Sequence, residues 1–329
     1  ILFVAFAYFF LIRPLNIILE QMEYLLAGKP YKKIYTGRID EIGVLAHFFN
    51  QVTKSFSEVS TDIKDRERMM DELAIAASLQ RDILPLLSPS ISGLQLVAKN
   101  KPASEVGGDI FNFITTNNKT YFYIGDVTGH GVAAALIMTM ATSLISVFAD
   151  TCASAYEILV GVNRYIKRHV KRAMYLTMVM LCWDHKTEKL SYVGAGHEHI
   201  LVYHATSGQC EAILSGGIAL GMVPDNSKLI KEQSIELDDG DFVLLYSDGI
   251  IEARNVNEEM FGLERLKAAL IEFAPQYSAE GVNYHIAAQV SGFAQGHVQE
   301  DDMSLIVVKR DKSLTQGLEM KDQSITWSA

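Results

Sequence analysis

YFYIGDVTGHGVAAALIMTM, residues 121–140, sets the reading of the whole chain. Tyr121 to Ile124 is an apolar run that reads as a buried strand. It closes at Gly125-Asp126. Gly129-His130-Gly131 follows, and an Ala/Leu/Met-rich segment then reads as a helix. A carboxylate at a strand end, beside a turn lined by residues without Cβ atoms, can approach a metal ion or a phosphate closely. The plainer alternative is a glycine-rich strand-to-helix turn with no chemistry. The positions of the other aspartates decide between the two.

From about residue 92 the chain alternates short apolar runs with turn signals. Runs at 94–99, 121–126, 175–183, 190–196, 199–205, 242–249 and 304–310 read as strands. Helical segments interrupt them at about 131–150, 154–172, 262–272 and 279–295. Many strands and few helices, without strict alternation, predict an antiparallel α+β architecture rather than a doubly wound parallel sheet.

Acidic residues recur at the ends of these runs. Asp109 follows Glu105-Val106-Gly107-Gly108, and Asp126 closes the next strand. Asp248 sits in Tyr246-Ser247-Asp248-Gly249, and Asp301-Asp302 precede the last strand. A lone carboxylate in a turn is usually solvated or a cap. Several gathered at one end of a sandwich repel each other unless cations compensate. Hard, oxygen-rich sites suit magnesium or manganese, with much of the coordination left to water. A zinc pattern is absent, because His130 and His197 lie in glycine-rich turns without a histidine at ligand spacing. Two divalent cations roughly 3.5–4 Å apart activate water and clamp a phosphoryl group without a protein nucleophile. No phosphate-loop cysteine and no GxxxxGK[ST] string offers another route.

The chain has 329 residues, which favours more than one unit, and 49% hydrophobic residues, enough for a core. A formal charge of −10 argues against a nucleic-acid partner. Cys152, Cys182 and Cys210 have no ligand spacing and read as reduced, structural residues of a cytosolic compartment.

Residues 1–12, ILFVAFAYFFLI, are continuously apolar and stop at Arg13. Twelve helical residues span roughly 18 Å, short of the roughly 30 Å hydrocarbon core. The stretch reads as the cytoplasmic end of a transmembrane helix, with Arg13, Lys29, Lys32 and Lys33 on the inner side. No basic residue precedes it and no small-residue cleavage pattern follows, which disfavours a signal peptide. After Pro14, Leu15, Ile18, Leu19, Met22, Leu25 and Leu26 form one apolar helical face; Ile42, Leu45, Phe48, Phe49 and Val52 form another. Two such short helices need a partner, most simply a second copy in a parallel four-helix bundle. Pro14, the connector and DEIGVLAHFFNQV at 40–52 resemble a HAMP signalling module over residues 10–58. Residues 59–90 read as a helical coiled-coil linker, with a seam of Leu73, Ala76, Ala77, Gln80, Ile83 and Leu84 ending at Pro85.

Eight strings occur in order: PASEVGGD (102–109), IGDVTGHGVAAAL (124–136), YLTMVML (175–181), VGAGH (193–197), LG (220–221), LLYSDGIIEARN (244–255), FG (261–262) and DDMSLIVV (301–308). Together they resemble the PPM, or type 2C, metal-dependent phosphatases, in the bacterial branch of sporulation-stage-II and sigma-factor-regulating phosphatases. The resemblance implies an antiparallel β-sandwich flanked by helices over 91–312, with a tail at 313–329. It implies two divalent cations, Mn2+ or Mg2+. Asp126 would bridge them, and Asp109 would serve the first, partly through water. Asp248 and Asp301 would hold the second, and Val127 would offer its carbonyl. Gly108 and Gly125 would allow close approach, while Gly129, His130 and Asp302 would support the site. Asp302 stands where Asn is common, and Ser304 where Thr is usual. Glu198 stands where proline is common, and Ile110-Phe111-Asn112-Phe113 lacks one carboxylate usual in the family.

The resemblance further implies a membrane-tethered protein-serine/threonine phosphatase at the inner membrane, with its catalytic domain in the cytoplasm. Its substrate would be a phosphorylated STAS-type anti-sigma-factor antagonist, and HAMP and linker helices would make it a homodimer. One rival is a catalytically inactive relative that only binds partners, which retention of all four aspartates opposes. A diguanylate cyclase or histidine kinase output is opposed by the continuation of Gly107-Gly108-Asp109 as Ile110-Phe111, and by the lack of a kinase nucleotide signature.

Overall fold

Side chains alternate along a strand, and in Lys119–Val127 (β3) both faces are apolar. Tyr121, Tyr123 and Val127 enter one core cluster, whereas Phe122 and Ile124 enter another. A strand buried on both faces must lie in a middle layer. The computed structural model describes residues 8–26, 32–35, 37, 42–51, 53–54, 78, 85, 88–103, 107–116, 118–129, 131–170 and 174–314. The chain divides into two units, residues 1–72 and 73–329.

The second unit is a sandwich of two antiparallel five-stranded sheets. One sheet has the order β1-β10-β9-β6-β7. These strands are Leu94–Lys101 (β1), Ile200–His204 (β6), Gln209–Ile213 (β7), Phe242–Tyr246 (β9) and Met303–Arg310 (β10). The other has the order β2-β3-β4-β5-β8. It adds Asp109–Thr115 (β2), Leu176–Asp184 (β4), Lys189–Ala195 (β5) and Glu232–Ile235 (β8) to β3. The expected antiparallel α+β fold is therefore the observed one.

Between the sheets, Phe122, Ile124, Leu181 and Trp183 meet Val202, Val243, Leu245 and Ile306. Helices Val132–Thr151 (α2) and Ala155–His169 (α3) cover the outer face of the β3 sheet, burying Met138, Ile145, Leu159 and Val162. Ser154 caps the start of α3: its side chain accepts from the Glu157 amide, and Glu157 reaches back to accept from the Ala153 amide, one residue before the cap, at 2.7 Å. Helices Gly262–Phe273 (α5) and Ala279–Phe293 (α6) cover the opposite sheet over Leu266, Leu270, Val282 and Ile286. A short helix, Asp248–Ile251 (α4), follows β9 directly. The residues 242–249 expected as one strand thus turn at Ser247. The segment Ala133–Thr151 is long and apolar enough to cross a membrane by length and composition. Its Ala134, Met138, Ala141 and Ile145 lie in the core.

Strands β2, β7 and β8 were not legible as apolar runs. The latter two lie at sheet edges and expose much of their length, so their sequences carry little alternation.

In the first unit, a π-helical turn at Tyr8–Ile12 runs into the helix Arg13–Leu26 (α1). Residues 42–51 and 53–54 are also helical. Ile18, Ala46 and Phe49 are buried. The Asn50 side chain holds both backbone groups of Ile34, accepting from its N–H at 2.9 Å and donating to its carbonyl at 2.7 Å. Residues 1–7 of the expected membrane segment lie outside the described residues, as do 27–31, 36, 38–41, 52 and 55–58 of the expected HAMP module and 59–77, 79–84 and 86–87 of the linker.

His197 joins the two sheets. Its Nε2 lies 3.2 Å from the Tyr246 carbonyl on β9, and its Nδ1 lies 3.0 Å from Thr177 Oγ1 on β4. A carbonyl only accepts, so Nε2 carries the proton and Nδ1 accepts from the hydroxyl. Burial pulls its pKa down from 6.5 to about 4. Because the folded value lies below the unfolded one, its contribution is complete above 6.5 and is lost as pH falls towards 4. His197→Asn should cost about 2 kcal/mol at pH 7.5 and flatten the loss of stability between pH 6.5 and 4. Thermal denaturation across that range checks this, and parallel curves for the two proteins would contradict it.

Candidate metal centre

The strand parity that builds the sandwich also places its acids. Asp126 shares the inter-sheet face of β3 with Phe122 and Ile124, one residue from the strand end. In the β2–β3 register Asp109 stands directly opposite Asp126. Like charges in that position destabilise a sheet, so local structure alone does not account for the pairing. Asp248 opens α4 at the end of β9, and Asp301 and Asp302 enter β10 beside it.

Each acid has a different environment. Asp126 is half-buried, and its pKa rises to about 7, through burial first and then the charges of Asp248, Asp301 and Asp302. Asp248 rises to about 6, again through burial first, then Asp301 and Glu252. Asp109 is 2% exposed. Burial drives its pKa well above the carboxylate range, against the lowering effect of the Ser304 and Ser247 hydroxyls. Its Oδ2 has no hydrogen-bond partner.

Asp302 is buried and acts on the backbone. Oδ1 accepts from the Ala103 amide at 2.7 Å. Oδ2 accepts from the amides of Gly108 at 2.6 Å and Asp109 at 3.3 Å. A Cβ on Gly107 would collide with that carboxylate, and one on Gly125 would collide with the Thr177 carbonyl. Ser247 completes the frame: its hydroxyl donates to the Asp302 carbonyl and accepts from the Ser304 amide. Gln299 Nε2 bonds the carbonyls of Lys101 and Asp301, both at 2.8 Å.

A cleft of about 340 Å³ opens here, lined by Gly108, Asp126, Gly129, Gln299, Asp301 and Asp302 among others. Asp109 and Asp248 do not form its wall. The structure thus brings Asp126 and Asp301 to one cavity, sets Asp248 within electrostatic reach, and keeps Asp109 behind them. His130 lies outside the described residues. Sequence reading missed Ser247, Gln299 and Thr177, which bind backbone and carry no signal of their own. Only the adjacency of Ser247 to Asp248 could have drawn notice.

Among the described residues, no three His, Cys, Asp or Glu side chains close around one point. The donors nevertheless fit hard divalent cations. All are oxygens, and Asp109 leaves a buried oxygen without a partner. Gly108 also leaves open a space that a Cβ would fill beside Asp126 Oδ1 and the Val127 carbonyl. Asp126 and Asp301 would hold such ions from the cleft wall with Asp248 nearby, and water would complete the shell.

The two-sheet sandwich with helices on both faces is the fold of the PP2C-type phosphatases. It superposes on the SiaA-PP2C domain of Pseudomonas aeruginosa with a TM-score of 0.65, at 21% identity, over 75% of this chain and 98% of that one. The chain belongs to the Stage II sporulation protein E (SpoIIE) family, whose profile matches residues 116–311. It is 27% identical to the phosphoserine phosphatase RsbU of Bacillus subtilis (strain 168) over 247 residues, 74% of this chain and 72% of RsbU. It is 30% identical to protein IcfG of Synechocystis sp. over 304 residues, 83% of this chain. The chain spans only 47% of that relative's length.

Asp126 carries a stability cost that can be measured. Its folded pKa of about 7 exceeds the ordinary 3.8, so stability is fullest below about 3.8 and declines as pH rises through 7. In metal-stripped protein at pH 8, Asp126→Asn should raise the melting midpoint by about 3 °C or more. Added Mn2+ should narrow the difference. An unchanged or lower midpoint in the stripped variant would refute the clustering argument.

Proposed function

We propose that the chain is a protein-serine/threonine phosphatase that hydrolyses phosphoserine or phosphothreonine with two divalent cations. The observation that carries this reading is the gathering of aspartates at one end of the sandwich: Asp126 and Asp301 line one cleft, the charges of Asp248 and Asp301 raise the pKa of Asp126, and that of Asp301 raises the pKa of Asp248. When bound, the cations supply a water nucleophile at neutral pH and neutralise the phosphoryl charge. Asp126 would hold both, Asp248 and Asp301 would hold the second, and the Val127 carbonyl would contribute to the first. Asp109 would serve the first, partly through water. Asp302 holds the amides of Ala103 and Gly108, both of which line the cleft.

A second cavity of about 320 Å³ shares Gln299, Glu300 and Asp301 with the cleft, and carries Lys101 and Arg254. It gives a folded polypeptide substrate room beside the reacting group. The phosphoserine activity named for RsbU supports a phosphoprotein substrate, and we assign a phosphorylated STAS-type protein.

The first unit is assigned as a HAMP relay at the inner membrane, with the catalytic unit in the cytoplasm. Support comes from Tyr8, Phe9, Phe10 and Ile12, which are about half exposed, and from the exposed Leu15, Leu19, Val44 and Phe48. Exposed apolar residues on two short helices fit a second copy of the same pair. The linker would pass the signal on.

Mn2+-dependent release of phosphate from a phosphoserine peptide tests the reading. Asp126→Asn should lower turnover at least about 100-fold while circular dichroism stays unchanged. A well-folded wild type that is inactive with both Mn2+ and Mg2+ would favour the partner-binding alternative. Making the Leu73–Leu84 seam polar should change activity in membranes without changing Mn2+ affinity. Equal activity would remove the relay.

A further inference from the structure

We propose that the backbone carbonyl of Gly129, opening the Gly129-His130-Gly131 turn, is a third protein ligand of the cation held by Asp126 and the Val127 carbonyl. The inference rests on the divalent-cation reading above and adds to it a ligand from the turn itself.

The observation is a convergence of oxygens beside Gly108. A Cβ built on Gly108 would lie 3.0 Å from Asp126 Oδ1, 3.2 Å from the Val127 carbonyl oxygen and 3.2 Å from the Gly129 carbonyl oxygen. Three oxygens from four consecutive residues therefore face one small space. That space opens into the cleft, since Gly108, Asp126 and Gly129 all line it. Among the described residues no hydrogen-bond donor meets the Gly129 carbonyl. A carbonyl aimed into a polar cavity without a donor needs water or a cation.

The backbone of Gly129 explains its aim. Its φ is +89°, in the left-handed region, yet nothing lies within 4 Å of where its Cβ would be. Crowding does not demand glycine there; the turn does. Gly131 is a natural comparison, with φ +79° and an equally open Cβ position.

A carbonyl ligand suits this place chemically. Magnesium and manganese accept neutral oxygen donors. A fourth clustered carboxylate would add repulsion to a site that already contains several, whereas a carbonyl adds a donor without charge. The β3 end would then act as a short chelating arm: one side-chain oxygen and two backbone oxygens within Asp126–Gly129.

The test compares Gly129→Ala with Gly131→Ala in the full chain. Both stand at positive φ with open Cβ positions, so both variants carry a backbone cost and a merely structural role predicts losses in both. Mn2+ binding is titrated by the electron paramagnetic resonance signal of the free ion. The tightest dissociation constant should rise at least fivefold in Gly129→Ala and stay within twofold in Gly131→Ala. Equal losses in the two variants would overturn the proposal. The second measurement uses protein labelled with 13C at glycine carbonyls. Electron–nuclear double resonance on bound Mn2+ should show a strong 13C coupling in wild type that disappears in Gly129→Ala, where the label is lost. Identical spectra would overturn the proposal even if both variants fold. Failure of wild type to bind Mn2+ at all would instead overturn the cation reading beneath it.

Discussion

The carboxylate of Asp302 holds the catalytic end of the sandwich together. It sits just before β10 in one sheet and accepts from the amides of Gly108 and Asp109, at the start of β2 in the other sheet, and from that of Ala103, just past the end of β1. Charge-assisted bonds to backbone N–H groups are among the stronger hydrogen bonds, and those from Gly108 and Asp109 are buried. Without them, these two buried amides would lack this partner, at a cost of about 1–3 kcal/mol each. The same bonds hold Gly108 against Asp126, and so define the space in which the Asp126, Val127 and Gly129 oxygens meet. His197 repeats this logic at the same end, linking Thr177 of one sheet to the Tyr246 carbonyl of the other, while Ser247 ties the end of β9 to the start of β10 within one sheet.

This frame is needed because the residues it positions repel one another. Asp109 opposite Asp126 is a poor cross-strand pair, and Asp248 and Asp301 add charge nearby. A chain selected for stability alone would not gather them. The raised pKa values of Asp126 and Asp248 measure that conflict, and they mark a place where stability yields to chemistry. The large apolar core between the sheets and under α2, α3, α5 and α6 supplies the stability that the site consumes.

The legible parts of the fold share one property. Strands β3, β4, β9 and β10 are buried on both faces, so their sequences are unbroken apolar runs. Strands β7 and β8 are short edges with polar residues facing out, and neither periodicity nor composition separates them from loops. The aspartates were readable because Asp126, Asp248 and Asp301-Asp302 adjoin strong apolar runs, and Asp109, Asp126 and Asp248 stand beside glycine. Their supporting residues were not. Ser247, Gln299 and Thr177 bind backbone groups distant in sequence, and no local pattern encodes such a partner.

The sequence by itself determined the antiparallel α+β class, the strong strands, the helices that cover them and the identity of the acids at strand ends. It did so because burial and chain direction are local consequences of residue order. Only the tertiary structure decided which acids face the cleft. Asp126 and Asp301 line it, Asp109 turns to the serines behind it, and Asp302 holds the amides of Ala103, Gly108 and Asp109. Those roles depend on how two sheets from distant parts of the chain meet. Four similar aspartates acquire different duties from their position in that meeting, which spacing along the chain does not record.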